Sequence, residues 1–341
     1  MPYEMDPPDG KLCNFTGLLT TAQIDRLAAH KALETLQFDA PVDPRNWARL
    51  EECLFRKRHD VALRIYGHDD LVPNVSFVQE MPSLRRFFAD CLRRAVGLEA
   101  VRHLSLLKEL SVGIDEIATF DFLAEVSPGL EKLRLDRTRS QNLSLEALGR
   151  FKSIRELTLS GQTKELHRLA PLQTLEVLVL WHQKSPSLDF LGSFSKLKLL
   201  EFNLGSSRDL SKIADAKRLR RLELHGVRQI SDLGFLSRCE SLKELVLDNL
   251  AQVRTLPDLR PLKKLRWLSL SSRTAIRDLS PVGMVPALES FSSGGIAGLA
   301  PKDFWPVLRA PALKHAGIYF ASQRKQQEFD EKARSVGISC E

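Results

Sequence analysis

The sequence predicts an α/β solenoid made of one short repeated unit, with a parallel β-sheet along its inner, concave side and short 3₁₀, helical or irregular segments behind it. Two observations predict this. A motif of the form L-x-x-L-x-L returns about every 23 residues, from Leu12 to Leu313. Between motifs, apolar residues stand nine, six and three places before the next one, as in Leu166/Leu169/Leu172, Leu210/Ile213/Ala216, Leu256/Leu259/Leu262 and Leu279/Val282/Val285. With 341 residues the chain exceeds one ordinary core, but repeats escape that limit by growing along one axis.

The first half of each unit reads as a strand. Leu130-Glu-Lys-Leu133-Arg-Leu135, Leu219-Arg-Arg-Leu222-Glu-Leu224 and Leu242-Lys-Glu-Leu245-Val-Leu247 alternate apolar and variable residues at period two. The second half, with apolar residues three apart, suits tight 3₁₀ turns better than a regular α-helix. A single unit cannot bury both sets of leucines, whereas stacking at the strand spacing of about 4.8 Å makes one continuous core. Each fully buried Leu contributes on the order of 1.5–3 kcal/mol before ordering entropy is subtracted.

This register, with phrases such as Ile230-Ser-Asp-Leu233 and Ile276-Arg-Asp-Leu279-Ser-Pro281, resembles the leucine-rich repeat family over nearly the entire chain. The 22–23 residue unit is similar to the short-unit members, the internalin-like and phosphatase-regulatory repeat proteins. The resemblance implies a horseshoe whose concave face binds a protein partner without catalysis. One place departs from that family's pattern. Where it carries Asn, eight residues after the first Leu, this chain has Thr138, Gln162, Gln183, Gly205, Val227, Leu250, Arg273 and Ile296.

The ends of such an array expose core and unpaired backbone, so caps are expected. Residues 1–83 read as irregular, helix-rich N-terminal repeats. Thr20-x-x-Gln23 has capping-box form, and Asp43-Pro44 opens a second helix carrying Trp47, Leu50 and Leu54. Residues 84–318 form the regular array. Residues 319–341 form a C-terminal cap, a polar helix over Ser322–Arg334 with Phe329 and Ala333 inward and an apolar stretch at Val336–Ile338.

Composition sets the class. At 43% hydrophobic and 27% charged residues the chain is globular, which excludes disorder, and 50 Lys+Arg against 43 Asp+Glu give a net charge of +7. No window approaches the roughly 18 apolar residues of a membrane span. The Pro-rich, acidic start at Met1–Gly10 is unlike a secretory signal. The five cysteines are odd in number, and no C-x-x-C occurs, so neither a disulfide framework nor a zinc site is expected. The expectation is a cytoplasmic protein with no membrane contact, no metal and no cofactor.

Residues three, five and seven places into each motif face away from the core. Among them Val179, Trp181, Leu199, Glu201, Asn203, Glu223, His225, Val246, Asp248 and Trp267 form the candidate protein-binding surface. Trp181 and Trp267 stand first, since large aromatics on a sheet surface serve as anchors; Val179, Leu199 and Val246 extend the apolar field, and the polar residues rim it. The alternative is that these side chains only pack on one another.

Catalysis finds little support. Glu201 and Glu223 stand about 5 Å apart on neighbouring strands, near a glycosidase spacing, but an open sheet offers no closed pocket. His225 beside Asp248 lacks a neighbouring nucleophile. Gly294-Gly295-Ile-Ala-Gly298 lacks the Lys-Ser/Thr of a phosphate loop. A better rival is charge. Arg155, Lys198, Arg220, Lys243, Arg266 and Lys314 each follow the first motif Leu, with Lys217-Arg218 and Lys263-Lys264 just before theirs. Such a basic rim suits an acidic protein or, with less support because no nucleic-acid motif is visible, nucleic acid. The sequence reading is therefore a non-enzymatic scaffold or adaptor, in a concrete version a bacterial immunity protein or an effector-type inhibitor that occludes its target.

Overall fold

The computed structural model describes residues 3–5, 10–15, 17–38, 44–67, 72–162, 164–271, 274–294, 296 and 298–340. Asp43, Arg273 and Gly295, which entered the sequence reading, lie outside them. The chain divides into two compact units, Met1–Leu172 and Gln173–Glu341.

The first unit holds β1 (Tyr3–Met5), β2 (Leu12–Phe15), β3 (Thr35–Phe38), β4 (Ala62–Ile65), β5 (Arg86–Leu92), β6 (Glu109–Ile114), β7 (Lys132–Leu135) and β8 (Glu156–Ser160). β1 runs antiparallel to β2, and each later strand pairs in parallel with the one before it. Sequential parallel order follows from the short period, because each return segment is long enough only to bring the chain back beside the strand it left. Helices enter where the repeat is stretched. Thr20 caps α1 (Thr21–Ala29) through a complete capping box with Gln23. α2 (Arg45–Leu50) begins just after Pro44 and continues as one π-helical turn, Glu51–Phe55. The buried Asn46 amide ties this region down, accepting from Leu19 N at 3.0 Å and donating to Gly17 O at 2.7 Å. Trp47 stacks on Phe77 at 3.9 Å between centroids and touches Phe38.

The second unit holds β9 (Val177–Trp181), β10 (Leu199–Asn203), β11 (Arg221–His225), β12 (Glu244–Asp248), β13 (Trp267–Ser271), β14 (Ser290–Ser293) and β15 (His315–Ile318), all parallel and in sequence order. Its core is the motif itself: Leu178, Leu180, Leu200, Phe202, Leu222, Leu224, Leu245 and Leu247 are all fully buried. Behind β9, β10 and β11 the return segments are 3₁₀ turns at Asp189–Ser193, Ser211–Asp215 and Gly234–Arg238. The next one departs from expectation. Leu256, Leu259 and Leu262 are buried as the spacing requires, yet Leu256–Leu262 forms no 3₁₀ or α-helical segment, only the single turn closed by Leu262 N on Leu259 O at 3.0 Å. Pro257 and Pro261 remove two N–H donors at that place. After β13 the return is a single α-turn, α3 (Ser280–Gly283), opened by Pro281.

A cap closes this unit. α4 (Gln323–Ser335) buries Phe329 and Ala333, with Phe329 against the Phe304 and Phe320 rings. Gln326 donates to Ile318 O at 2.9 Å and accepts from Phe320 N at 3.0 Å. The open edge of β15 is covered by Ser339, whose O accepts from Ala316 N at 2.8 Å. In the terminal stretch Ile338 is buried, but Val336 faces solvent.

The site of the missing asparagines explains itself locally. In the first unit Gln162 and Thr138 are buried and bonded to each other, Gln162 Nε2 donating to Thr138 Oγ1 at 2.7 Å, while Thr138 Oγ1 reaches Ser140 O. A Gln–Thr pair thus satisfies backbone in the turn where the family pattern has Asn. In the second unit Gly205 takes that place because Phe202 fills the space: a Cβ there would lie 2.2 Å from the Phe202 ring.

Candidate functional site

Every candidate residue lies in the second unit, on β9 to β13 and on the sheet face turned away from the leucine core. The strands are in register, so the side chains form rows. Val177, Leu199, Arg221, Glu244 and Trp267 make one row; Val179, Glu201, Glu223, Val246 and Ser269 the next; Trp181, Asn203, His225, Asp248 and Ser271 the third. Neighbours within a row stand about 4.8 Å apart, so the two tryptophans, four strands apart, are separated by about 19 Å along the sheet.

The face is less uniformly solvated than alternation alone implies. Trp181, Trp267, Val179, Leu199, Glu201, His225 and Asp248 are half-buried, whereas Asn203, Glu223 and Val246 are buried. Glu223 is the hub of a polar network. It accepts from Arg221 Nε and, at 2.8 Å, from His225 Nε2. Arg221 Nη1 also donates to Glu244 at 2.7 Å, and its guanidinium lies 5.7 Å from the Trp267 centroid. His225 Nδ1 stands 3.4 Å from Asp248, whose other oxygen accepts from Ser271. Asn203 donates to Glu201 at 3.2 Å.

Burial by itself would raise the Glu223 carboxyl. The hydrogen bonds and charges of His225 and Arg221 outweigh it and hold the group below the usual carboxylate range. Burial likewise opposes the charge on Arg221, and the carboxylates of Glu223 and Glu244 overcome that and raise it. This polarity is wrong for a general acid, which needs a carboxyl raised toward neutrality. Glu223 therefore reads as part of a fixed charge network. Among the described residues no group of three or more His, Cys, Asp or Glu side chains is placed to hold a metal ion. Burial pushes the Cys239 thiol up to about 11, which disfavours the reactive thiolate at neutral pH. Among the described residues no helix is long and apolar enough to cross a membrane.

One residue beside this face escaped the sequence reading. Strands β9 to β12 are each followed by a residue in the left-handed region: His182 (φ +56°), Leu204 (+52°), Gly226 (+60°) and Asn249 (+52°). Gly and Asn tolerate that conformation, but Leu pays about 1–2 kcal/mol for it. Leu204 is also 48% exposed, directly after Asn203. The available signal was positional, a leucine in the register column that elsewhere holds Gly226 and Asn249.

No protein-family profile matches the chain, and no curated protein matches it in sequence. Solved structures do match in fold. An internalin from Listeria monocytogenes aligns with a TM-score of 0.60 at 16% identity, covering 92% of this chain and 87% of that one. A leucine-rich repeat protein of Leptospira interrogans aligns with a TM-score of 0.48 at 16% identity, over 92% of this chain and 90% of that one. The strand period, the parallel in-register sheets, the 3₁₀ returns and the internalin alignment agree, and the fold of this chain is the short-unit leucine-rich repeat solenoid.

Proposed function

We propose that the chain is a non-enzymatic scaffold that binds a protein partner through the outward sheet face of β9–β13. The observation that carries this reading is the pair of half-buried tryptophans, Trp181 and Trp267, flanking a row of ion-paired and apolar side chains. Aromatic anchors with a polar surround are the usual makeup of an interface centre. The Arg221–Glu223–His225 network fixes rotamers in advance, which lowers the ordering cost of association. Leu204 adds exposed apolar surface at the end of the same strands, held in a strained conformation of the sort that clusters at binding sites. A buried Cys239 thiol whose burial disfavours the reactive thiolate suits a reducing, cytoplasmic setting. In this reading the protein works by steric coverage, as an adaptor or as an inhibitor of the immunity or effector kind.

The test is capture from the native host's lysate by wild type beside a Trp181→Ala/Trp267→Ala variant of matched circular dichroism and melting temperature. A protein held by wild type and lost by the folded variant is the expected result. Equal capture by both overturns the assignment of this face.

A further inference from the structure

A second surface of the second unit is built from charge. Just before the strands, on the turn leading into each, the chain forms a shallow cleft of about 640 Å³ lined by Glu176, Lys196, Lys198, Arg218, Arg220, Ser241, Lys243 and Lys264. Six of these eight residues are cationic and one is anionic.

The repeat explains how they come together. Lys198, Arg220, Lys243 and Arg266 occupy the second place of successive motifs, and the backbone stacks them directly. Arg220 N donates to Lys198 O at 2.8 Å, Lys243 N to Arg220 O at 2.7 Å, and Arg266 N to Lys243 O at 2.8 Å. Lys196, Arg218 and Lys264 stand two residues earlier in their units, in a second column beside the first. Like charges on neighbouring strands repel, so this arrangement costs stability in the free protein.

Along the same column the other cations are neutralised. Lys198 pairs with Glu176, and both Arg266 (3.3 Å) and Lys314 (3.1 Å) pair with Glu289. Among the described residues no carboxylate lies within 4.0 Å of the charged nitrogens of Lys196, Arg218, Arg220, Lys243 or Lys264. All five are exposed. Of the six cations in the cleft lining, only Lys198 has an ion-pair partner among the described residues.

We propose that this cleft is a docking site for an extended, Asp/Glu-rich segment of a partner protein, separate from the outward sheet face. The five unpaired cations span about three strand steps, roughly 14 Å, or about one charge per 3 Å. An extended peptide of acidic residues carries one carboxylate per roughly 3.3 Å, which matches that density. Single-stranded nucleic acid would want aromatic platforms for its bases, and the lining holds none. Arg218 and Arg220 supply planar forks for bidentate carboxylate recognition, and the lysines supply mobile point charges.

The experiment is fluorescence anisotropy at low ionic strength with a short labelled peptide of alternating Asp and Glu, beside its Asn/Gln counterpart and a single-stranded DNA of equal charge. Wild type is expected to bind the acidic peptide, to ignore the neutral one, and to lose affinity as salt rises. Arg220→Glu/Lys243→Glu is expected to lose at least about tenfold in affinity with a melting temperature no lower than that of wild type, since it relieves repulsion along the column. If that charge reversal disturbs folding, Arg220→Gln/Lys243→Gln gives the same direction with less repulsion. Glu176→Gln, which removes the one carboxylate in the lining, is expected to tighten binding. Trp181→Ala/Trp267→Ala is expected to keep full affinity for the peptide, so failure of the sheet-face reading and failure of this one are distinguishable. Tighter binding of the DNA than of the peptide, equal binding by the charge-reversed variant, or no binding of the acidic peptide each overturns the proposal.

Discussion

The guanidinium of Arg221 lies 5.7 Å from the centroid of the Trp267 ring, although β12 runs between their strands. The same side chain donates to Glu223 and to Glu244. One arginine therefore joins the half-buried Trp267 ring to the buried Glu223 carboxylate across the sheet face, and the proposed recognition surface and the stability of the face share it.

Replacing Arg221 by Ala leaves Glu223, 9% exposed, with the His225 ring as its remaining side-chain hydrogen-bond partner. An under-satisfied buried charge costs about 1–3 kcal/mol. Because the Arg221 side chain is itself 41% exposed, solvent screens the pair, and a loss of about 1–2 kcal/mol is expected in urea unfolding. Adding Glu223→Gln is expected to recover part of that loss, since the amide carries no charge to strand. Additive effects in the double-mutant cycle would show that the two side chains are not coupled.

The Glu223 carboxyl also sets a pH dependence. Its native pKa lies below the ordinary value because His225 and Arg221 together outweigh burial. The native state therefore binds this proton less readily than the unfolded chain. Its stabilisation is complete above the unfolded value of about 4.3 and is lost as pH falls through the lower native value. Urea midpoints measured on acidification are expected to fall less steeply below about pH 5 in Glu223→Gln than in wild type. Parallel curves would assign the acid sensitivity to other carboxylates.

These two expectations rest on contacts that the sequence did not disclose, and the reason is physical. Leu222 and Leu245 were legible because burial fixes their period, and the register across β9–β13 follows once the period is known. Alternation states which face a side chain leaves by, but not what covers it there. Asn203, Glu223 and Val246 point outward yet are buried, and for Glu223 and Asn203 the side chains two places away on the same strand, Arg221 and His225 for the one and Glu201 for the other, bond to them. The Gln162–Thr138 bond was invisible for a similar reason: its partners are 24 residues apart and lie outside the apolar pattern. The prolines around Leu259 were visible, but their effect was masked by a leucine spacing that matched its neighbours.

Leu204 offers a test in which stability and binding move in opposite directions. It sits at φ +52°, in the register place that Asn249 fills two strands later at the same φ. Asn tolerates this conformation far better than Leu. Leu204→Asn is expected to raise stability by about 0.5–1 kcal/mol, since the exposed leucine gives up little packing. Partner capture is expected to weaken in the same variant. A stabilised variant with full capture would remove Leu204 from the interface and leave its strain without a function.

Gly205, the next residue, is fixed by space. A Cβ at this position would meet the Phe202 ring at 2.2 Å and Gln183 O at 2.8 Å, and Phe202 is fully buried. Neither neighbour has room to retreat in a close-packed core, so Gly205→Ala is expected to cost about 1–3 kcal/mol, as overpacking does. Trimming the ring separates the two contacts. In a Phe202→Leu background, which is itself destabilised by lost burial, the added cost of Gly205→Ala is expected to shrink but not vanish, because the Gln183 carbonyl belongs to the backbone and stays in place. Thermal melts of the four proteins measure that coupling. An unchanged cost in the Phe202→Leu background would mean that the carbonyl, and not the ring, holds this position to glycine.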